Sequence, residues 1–149
     1  MIQLATKQDI PSIVEIHKKC IKETNSKAYN KEIIDNWLNL INKKNVLSQF
    51  ENTTWVIIKE NNTIVGFAQY DLEDTDLYQI QIDPNYQSKG YGKELYKYIE
   101  NDFIKNNKDK VTLNATLNAV LFYKSLGFRE IENITYDGID MIFMEKQLK

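Results

Sequence analysis

A glycine-bearing turn between an extended apolar segment and a helical pattern is the feature that most limits what this chain can fold into. The apolar segment is Leu77 to Ile82, the turn contains Gly90 and Gly92, and the helical pattern continues to Lys105. The first backbone N–H groups of a helix have no partner inside the helix and lie at the positive end of its dipole. Because glycine has no Cβ, a ligand can approach this backbone closely. We therefore predict a phosphate site at the turn.

Two common phosphate-binding loops do not fit this turn. A Walker A loop needs a lysine followed by serine or threonine, whereas Lys93 is followed by Glu94. The dinucleotide fingerprint needs a third glycine where Leu95 stands. What remains is a Q-x-x-G-x-G pattern that begins at Gln87. Taken alone, this pattern is also compatible with a surface turn that simply starts a helix.

A second segment, residues 116–128, adds specificity to the first. It contains an N-A-x-x-F-Y-x-x-x-G-F pattern that runs from Asn118 to Phe128 and includes Tyr123. In order and separation, the two segments resemble the signatures of the GNAT superfamily of N-acetyltransferases. The first is similar to that family's pyrophosphate loop, and the second to its helix that carries a tyrosine and ends in Gly-Phe. The close resemblance covers residues 76–128.

The resemblance implies that acetyl-CoA is the acyl-donor cosubstrate and that the turn anchors its pyrophosphate. Amides of the pantetheine arm are expected along strand 80–82, because an exposed strand edge offers unpaired N–H and C=O groups. The backbone N–H of Ile82 or Gln81 is expected to hold the thioester carbonyl, an interaction worth roughly 3–4 kcal/mol. Asn118 either hydrogen-bonds the arm or only caps its helix. The cofactor-binding residues expected in the turn are Gln87, Ser88, Lys89, Gly90, Tyr91, Gly92 and Lys93.

Tyr123 is in the position of the general acid of the family. A phenol has an ordinary pKa of about 10, so it is protonated at neutral pH and can donate to a departing thiolate. The alternative is a half-buried tyrosine that only packs on the core. Family members often place a glutamate base on the fourth strand, where this chain has Asp76, Tyr78 and Gln79, preceded by Glu73. We predict that Glu73 or Asp76 acts as the base through water.

The expected acceptor is a primary amine of a small molecule or a peptide, reached by direct transfer. Trp37 and Tyr29 are predicted to line its pocket, with core filling by Trp37 and a surface role for Tyr29 as the alternative. An acidic cluster is either a solvated loop or a mouth that attracts a cationic amine. A non-catalytic domain that binds acyl-CoA as a sensor is the alternative function. The acidic cluster consists of Asp71, Glu73, Asp74 and Asp76.

Composition excludes several classes of protein. A chain of 149 residues is expected to be one domain, residues 1–149. With a net charge of −2 and no basic block, it is not expected to bind nucleic acid. No apolar run approaches the ~20 residues of a membrane span, and residues 1–7 do not show the basic-then-apolar pattern of a signal peptide. We therefore expect a cytoplasmic protein without membrane partners, and the resemblance also suggests a homodimer.

The chain has one cysteine and one histidine, which are too few ligands for a cysteine-based or multi-histidine metal site, so no metal is predicted. Cys20 lies on a helix far in sequence from both motifs, and we do not predict it to be a nucleophile. His17 lies on the apolar stripe of that helix. It is interpreted as a packed core histidine, with a catalytic base as the alternative.

The order of predicted elements is β-α-α-β-β-β-α-β-α-β-β, which indicates an α/β (α+β) domain of three layers. Predicted helices include one over residues 31–42 and one over residues 117–126. Hairpin turns are predicted at Asn61-Asn62 and at Asp137-Gly138. The resemblance implies a mixed, mostly antiparallel central sheet flanked by helices. This sheet is expected to splay between the strands at 76–82 and 110–114.

Overall fold

The computed structural model describes all 149 residues and contains a single seven-stranded sheet. The strands are β1 (Ile2–Leu4), β2 (Thr54–Glu60), β3 (Thr63–Asp71), β4 (Asp76–Ile82), β5 (Lys110–Thr116), β6 (Arg129–Tyr136) and β7 (Ile139–Gln147). Their order in the sheet is β1-β2-β3-β4-β5-β7-β6. Every neighbouring pair is antiparallel except β4 and β5, which are parallel. The mixed, mostly antiparallel sheet is therefore as predicted.

Helices cover both faces of the sheet. They are α1 (Ile10–Glu23), α2 (Lys31–Leu40), α3 (Lys43–Phe50), α4 (Tyr91–Lys105) and α5 (Val120–Ser125). Successive residues of β2 belong to different cores: Ile57 packs with α1, whereas Val56 and Ile58 pack with α4. Because side chains alternate along a strand, the two helices lie on opposite faces. This confirms the predicted three layers. None of the helices is long and apolar enough to cross a membrane.

The two principal helices follow the apolar spacing of their sequences. In α4, Leu95, Ile99 and Phe103 recur every four residues and are fully buried. A 3-10 turn (Lys7–Asp9) leads into α1, and the N–H of Thr6 donates to Asp9 Oδ2 at 2.8 Å in a capping box that starts this turn. These local signals explain why both helices lie where the sequence predicts them.

The prediction was wrong about the segment after α1. The helix predicted over residues 31–42 ends at Leu40, and a separate helix, α3, was not predicted. Its sequence is largely polar, and Val46 is its only fully buried residue. A side-chain cap starts it, since the N–H of Asn45 donates to Asn42 Oδ1 at 2.9 Å. The helix predicted over 117–126 is also shorter, because a 3-10 turn precedes α5.

Both predicted hairpin turns are confirmed. Asn61 and Asn62 have φ values of 50° and 68°, and Asp137 and Gly138 have φ values of 55° and 79°. Positive φ at both central residues is the mark of a type I′ turn, which matches the twist of the strands it joins.

The sheet opens between β4 and β5, as predicted. The only paired residues of these strands are Asp76 and Thr112, and the strands diverge beyond them. A bulge in β4 lies close to this point. Tyr70 pairs with Leu77 and Gln69 with Gln79, so Tyr78 is the extra residue.

The bulge changes which side chains of β4 face each layer. Leu77 and Ile80 are three residues apart, yet both pack in the core under α4. Gln79 and Gln81 consequently face the side of the sheet that α1 covers. Two amide side chains thus lie beside the opening between the strands.

Gly66 sets how closely β3 approaches β4. A Cβ at this position would lie 2.5 Å from Ile82 Cδ1 and 2.9 Å from the carbonyl oxygen of Gln81. A backbone oxygen cannot move away from the added methyl group by changing rotamer. Gly66→Ala is therefore expected to lower the free energy of unfolding by about 1–3 kcal/mol. Urea unfolding followed by circular dichroism measures this. Thr63→Ala, at an exposed position of the same strand, is the control and should keep the wild-type midpoint. An unchanged midpoint in Gly66→Ala would contradict the close approach.

Candidate functional site

A cavity of about 420 Å³ opens where β4 and β5 separate. One wall is the edge of β4, and another is the glycine-bearing turn before α4. The remaining walls come from β5, from α5 and the turn before it, and from the C-terminal end of α1 with the residues that follow it. We call this space the donor cavity. The two sequence motifs, which are distant along the chain, thus border one cavity.

The turn presents backbone donors to the donor cavity. Ser88 and Gly90 have left-handed φ values of 64° and 86°. The N–H of Glu94 makes the first bond of α4, to the carbonyl of Gly90 at 3.0 Å. The N–H groups of Tyr91, Gly92 and the following residue therefore have no partner within the helix. A helix start next to such turns favours an anion. The left-handed serine was not predicted, since serine rarely signals this conformation.

Gln87 holds the turn in place. Its Nε2 lies 3.3 Å from the carbonyl oxygen of Ile82 and 3.4 Å from Thr24 Oγ1. The side chain thus donates to β4 and to α1 while it also lines the donor cavity. This geometry explains why a glutamine starts the motif.

The cationic side chains of the turn point in different directions. Lys89 does not line the donor cavity; its Nζ lies 3.6 Å from Glu60 Oε2 and 5.3 Å from the centre of the Tyr86 ring. Lys93 does line the cavity and is its only lysine or arginine. Tyr91 also lines it, and its hydroxyl donates to Glu60, which raises the pKa of Tyr91 to about 12. The positive charge available to a ligand is therefore that of Lys93.

Gly92 leaves room for an aromatic ring. A Cβ at this position would lie 3.1 Å from Phe122 Cζ and 3.8 Å from Ile82 Cγ1. Both neighbouring side chains line the donor cavity. The absence of a side chain here allows the turn to lie directly on the ring of α5.

Tyr123 lines the donor cavity, and only 6% of its surface is exposed. Its ring makes edge contacts with Phe122 and Phe128, at centroid distances of 5.2 and 5.7 Å. Burial raises the pKa of its phenol well above the ordinary value, and a hydrogen bond from the backbone of Ile80 opposes that shift only in part. The hydroxyl is therefore a protonated donor beside the free edge of β4.

Cys20 belongs to the site, although it is far in sequence from both motifs. Its Sγ lies 3.1 Å from the carbonyl oxygen of Ile82, and it lines the donor cavity. Burial is the main cause that raises the pKa of Cys20 to about 12. A neutral thiol of this kind is a poor nucleophile. It acts as a hydrogen-bond donor to β4.

The 3-10 turn after α1 (Asn25–Lys27) also contacts the second motif. Asn118 Nδ2 donates to Asn25 Oδ1 at 3.2 Å, and both residues line the donor cavity. Thr116 lines it as well, and its side chain makes no capping hydrogen bond. No local pattern signals these contacts, because the asparagines are 93 positions apart.

A second cavity, of about 470 Å³, meets the donor cavity at the opening between the strands. We call it the acceptor-side cavity. It is lined by Trp37, Asp76 and His17 among others. Both cavities share lining residues: Tyr78, Gln79, Gln81, Asn114 and Thr116.

Of the two aromatic residues predicted at an acceptor pocket, Trp37 lines the acceptor-side cavity and Tyr29 lines neither cavity. The rings of the two residues meet edge to face at 5.8 Å. The hydroxyl of Tyr29 donates to the carbonyl of Asp140 at 2.6 Å and accepts from the N–H of Leu117 at 3.0 Å. Tyr29 therefore supports Trp37 and joins it to β7.

The two candidate bases are in different surroundings. Asp76 lines the acceptor-side cavity and accepts a hydrogen bond from the hydroxyl of Thr112. Glu73 lies in the turn between β3 and β4, where its N–H donates to Asp71 Oδ1 at 2.9 Å, and it lines neither cavity. Burial raises the pKa of Tyr78, and so do the charges of Asp71, Asp76 and Asp74. The acidic cluster therefore lies beside a residue that lines both cavities.

His17 is packed in the core and also borders a cavity. It is 9% exposed and packs edge-on to Phe67 at 5.9 Å, as a core histidine does. It also lines the acceptor-side cavity. Burial lowers the pKa of His17 to about 4, so the imidazole is neutral at pH 7. No group of three His, Cys, Asp or Glu side chains is arranged to hold a metal ion.

A family model described as an acetyltransferase (GNAT) domain matches residues 25–148. The [Ribosomal protein bS18]-alanine N-acetyltransferase of Escherichia coli (strain K12) is 30% identical over 78 residues, which cover 49% of this chain and 53% of that protein. This chain therefore spans about half the length of the curated relatives that it matches.

Solved structures share the fold over the whole chain. A GCN5-related N-acetyltransferase from Rhodopseudomonas palustris has a TM-score of 0.91 at 17% identity, covering 99% of this chain and 95% of that one. The PaiA N-acetyltransferase of Thermoplasma acidophilum, in complex with coenzyme A, has a TM-score of 0.84 at 23% identity, covering 99% and 98%. From the family match over residues 25–148 together with this shared fold, we conclude that the chain belongs to the GNAT family of acetyltransferases.

Proposed function

We propose that this protein is an N-acetyltransferase that moves an acetyl group from acetyl-CoA directly to a primary amine. The observation that carries the proposal is the meeting of two cavities at the opening between β4 and β5, with the protonated hydroxyl of Tyr123 beside it. A thioester entering from one side and an amine from the other would meet at this point. Direct transfer needs this convergence and no covalent enzyme intermediate.

The donor cavity is proposed to hold acetyl-CoA. The unpaired N–H groups at the start of α4 would bind the pyrophosphate, with Lys93 adding a positive charge. Lys89 would contact a phosphate only after leaving Glu60. Asn118, already fixed by Asn25, would hydrogen-bond the pantetheine arm.

The thioester carbonyl is proposed to accept from the backbone N–H of Ile82 rather than Gln81. The N–H of Asp83 donates to the carbonyl of Val65 on β3 at 2.8 Å. Because backbone groups alternate in direction along an antiparallel strand, Gln81 also faces β3 and Ile82 faces the opening. A donor placed there stabilises the oxyanion of the tetrahedral intermediate.

Tyr123 is proposed to be the general acid. The amine attacks the carbonyl carbon of the thioester, and the tetrahedral intermediate collapses by breaking the carbon–sulfur bond. The phenol of Tyr123 then gives its proton to the departing thiolate, and solvent returns a proton to the phenolate.

The amine must lose a proton before or during the attack. Asp76 is the proposed base because it lines the acceptor-side cavity, whereas Glu73 lies outside it. The proton would pass through water, and the hydroxyl of Thr112 would hold the carboxylate in place. Trp37 is proposed to line the path of the acceptor, with Tyr29 supporting it.

The acceptor is proposed to be a small-molecule or peptide amine. A peptide amine is supported by the E. coli relative, which is named for an alanine of a ribosomal protein. The single carboxylate in the acceptor-side cavity and its lack of lysine and arginine also suit a cationic amine.

Acetyl-CoA is expected to raise the unfolding temperature, with NAD and ATP as control ligands. Saturation at 100 times Kd adds about 2.7 kcal/mol, or roughly 5–10 °C for a domain of this size. Differential scanning fluorimetry measures the shift, and release of free thiol in the presence of amines then measures turnover. No shift with acetyl-CoA would overturn the donor site. A shift without thiol release from any amine would favour a domain that binds acyl-CoA without catalysis.

A further inference from the structure

Four glutamine side chains form a continuous hydrogen-bonded chain beside the acceptor-side cavity. Gln69 on β3 is 3% exposed, and its Nε2 donates to Gln49 Oε1 at 3.0 Å. Gln79 Nε2 donates to Gln69 Oε1 at 2.9 Å, and Gln81 Nε2 donates to Gln79 Oε1 at 3.2 Å. We call Gln49, Gln69, Gln79 and Gln81 the amide chain. It runs from α3 to the opening between β4 and β5.

Thr53 sets the direction of the amide chain. Its hydroxyl donates to the backbone carbonyl of Gln49 at 2.8 Å, and a carbonyl oxygen can only accept. The hydroxyl has one hydrogen, so its oxygen is left to accept, and it does so from Gln69 Nε2 at 3.1 Å. If the amide of Gln69 were reversed, its carbonyl would face an oxygen with no hydrogen to give. Each following amide must then also point the same way.

This direction leaves a free hydrogen-bond acceptor, Gln81 Oε1, at the end of the amide chain beside the opening between β4 and β5. Gln81 uses its Nε2 within the chain, and its Oε1 receives no hydrogen bond from the protein. Gln81 lines both cavities, so this oxygen belongs to the place where they meet. A carbonyl oxygen there suits a ligand that brings an N–H.

The rest of the acceptor-side cavity agrees with such a ligand. It contains the carboxylate of Asp76 and no lysine or arginine, so an anionic group would find no opposite charge. The rings of Trp37, Tyr78 and Tyr136 line it as well. Aromatic faces attract cations and pack on apolar groups.

We propose that Gln81 Oε1 accepts a hydrogen bond from the N–H of the attacking amine, and that Thr53 maintains this orientation through the amide chain. The inference rests on the proposed function, because it assigns the amine to the acceptor-side cavity. Gln81 binds the amine and takes no proton from it. Gln69 and Thr53 line neither cavity and are positioning residues, and Gln79 connects them to Gln81. The amine selected is one carried on an apolar body without an acidic group nearby.

The kinetic test compares Thr53→Val with Thr53→Ser, using n-butylamine and a peptide with an N-terminal alanine as acceptors. Valine keeps the shape of threonine and removes the hydroxyl, whereas serine retains it. Losing one hydrogen bond corresponds to about a 3- to 10-fold rise in the KM of the amine in Thr53→Val. The KM of acetyl-CoA should remain within about twofold of wild type, and Thr53→Ser should match wild type. Gln81→Met, which lacks the carbonyl, should raise the amine KM by at least as much.

Loss of stability alone would produce a different pattern. Thr53→Val would then have a lower unfolding temperature, and its KM values for the amine and for acetyl-CoA would change by similar factors. Thr53→Ser would likewise show no difference between the two substrates. That pattern, or an amine KM that is unchanged in both Thr53→Val and Gln81→Met, would overturn the proposal.

A second measurement needs no turnover. In protein saturated with coenzyme A, the side-chain ¹H–¹⁵N signals of Gln81 are followed while n-butylamine is added, with butyrate as the anionic control. We expect the signals to shift with the amine and to stay fixed with butyrate. A response without acetylation would mean that the proposed function fails while the amine site stands. No response to the amine, or an equal response to butyrate, would overturn the site itself.

Discussion

Replacing Tyr123 with phenylalanine is expected to lower kcat about 100-fold or more, within the range typical of general acid–base catalysis. The substitution removes only the hydroxyl beside the free edge of β4 and keeps the ring between Phe122 and Phe128. The donor cavity should therefore retain its shape, and the Kd of acetyl-CoA should stay close to that of wild type. Thiol release gives kcat, and calorimetric titration gives the Kd.

Tyr96→Phe is the matched control for this experiment. Tyr96 is equally buried, its hydroxyl donates to Glu100 at 3.0 Å, and its ring meets Phe128 edge to face. It lines neither cavity. Loss of its hydrogen bond should cost about 1 kcal/mol of stability and leave kcat unchanged. If both variants lose activity equally, the loss comes from packing and Tyr123 is not the acid.

The alkaline side of the rate profile provides a further check on the acid. Burial raises the pKa of Tyr123 above its ordinary value of about 10, so the protonated form persists up to and beyond that pH. In the proposed mechanism the protonated phenol of Tyr123 is the active form. A raised pKa therefore extends the pH range of activity to higher pH. A fall in kcat at a pH of about 8, where an ordinary phenol is still protonated, would have to arise from another group.

The parts of the site that the sequence predicts are those with a fixed local spacing of residues. Gly90 and Gly92 lie in one backbone turn, and their position in the chain indicates the start of α4. Tyr123 follows from a motif of the same kind. The hairpin turns are equally local, because Asn61 and Asn62 supply the positive φ that the turn needs.

The parts that escaped prediction depend on tertiary structure. Alternation alone would place Leu77, Gln79 and Gln81 on one face, but the bulge at Tyr78 separates the first from the other two. The amide chain joins three elements and exists only in the register that the bulge creates. Cys20 reaches Ile82 across 62 positions, a contact that no local pattern can indicate.

The sequence also does not indicate which charged side chain of the turn faces the cavity. Lys89 and Lys93 are equivalent in the sequence, since both flank the glycines. Folding separates them because Glu60, at the end of β2, lies within 3.6 Å of Lys89 Nζ. Which cation faces the cavity therefore depends on a strand that is about thirty positions earlier in the chain.

Gly92→Val is expected to weaken acetyl-CoA binding about 10- to 100-fold. The added side chain overpacks the place where the cofactor is proposed to bind, and overpacking costs about 1–3 kcal/mol. The Cβ alone would lie 3.1 Å from Phe122 Cζ, and two further methyl groups would push either the ring or the turn into the donor cavity. Gly92→Ala should give a smaller loss in the same titration. Gly138→Val is the control, since it strains a hairpin tip at φ +79° with no neighbouring atom within 4 Å. This control should lower the unfolding temperature without changing the Kd. Wild-type affinity in Gly92→Val would mean that the N–H groups of this turn do not anchor the cofactor.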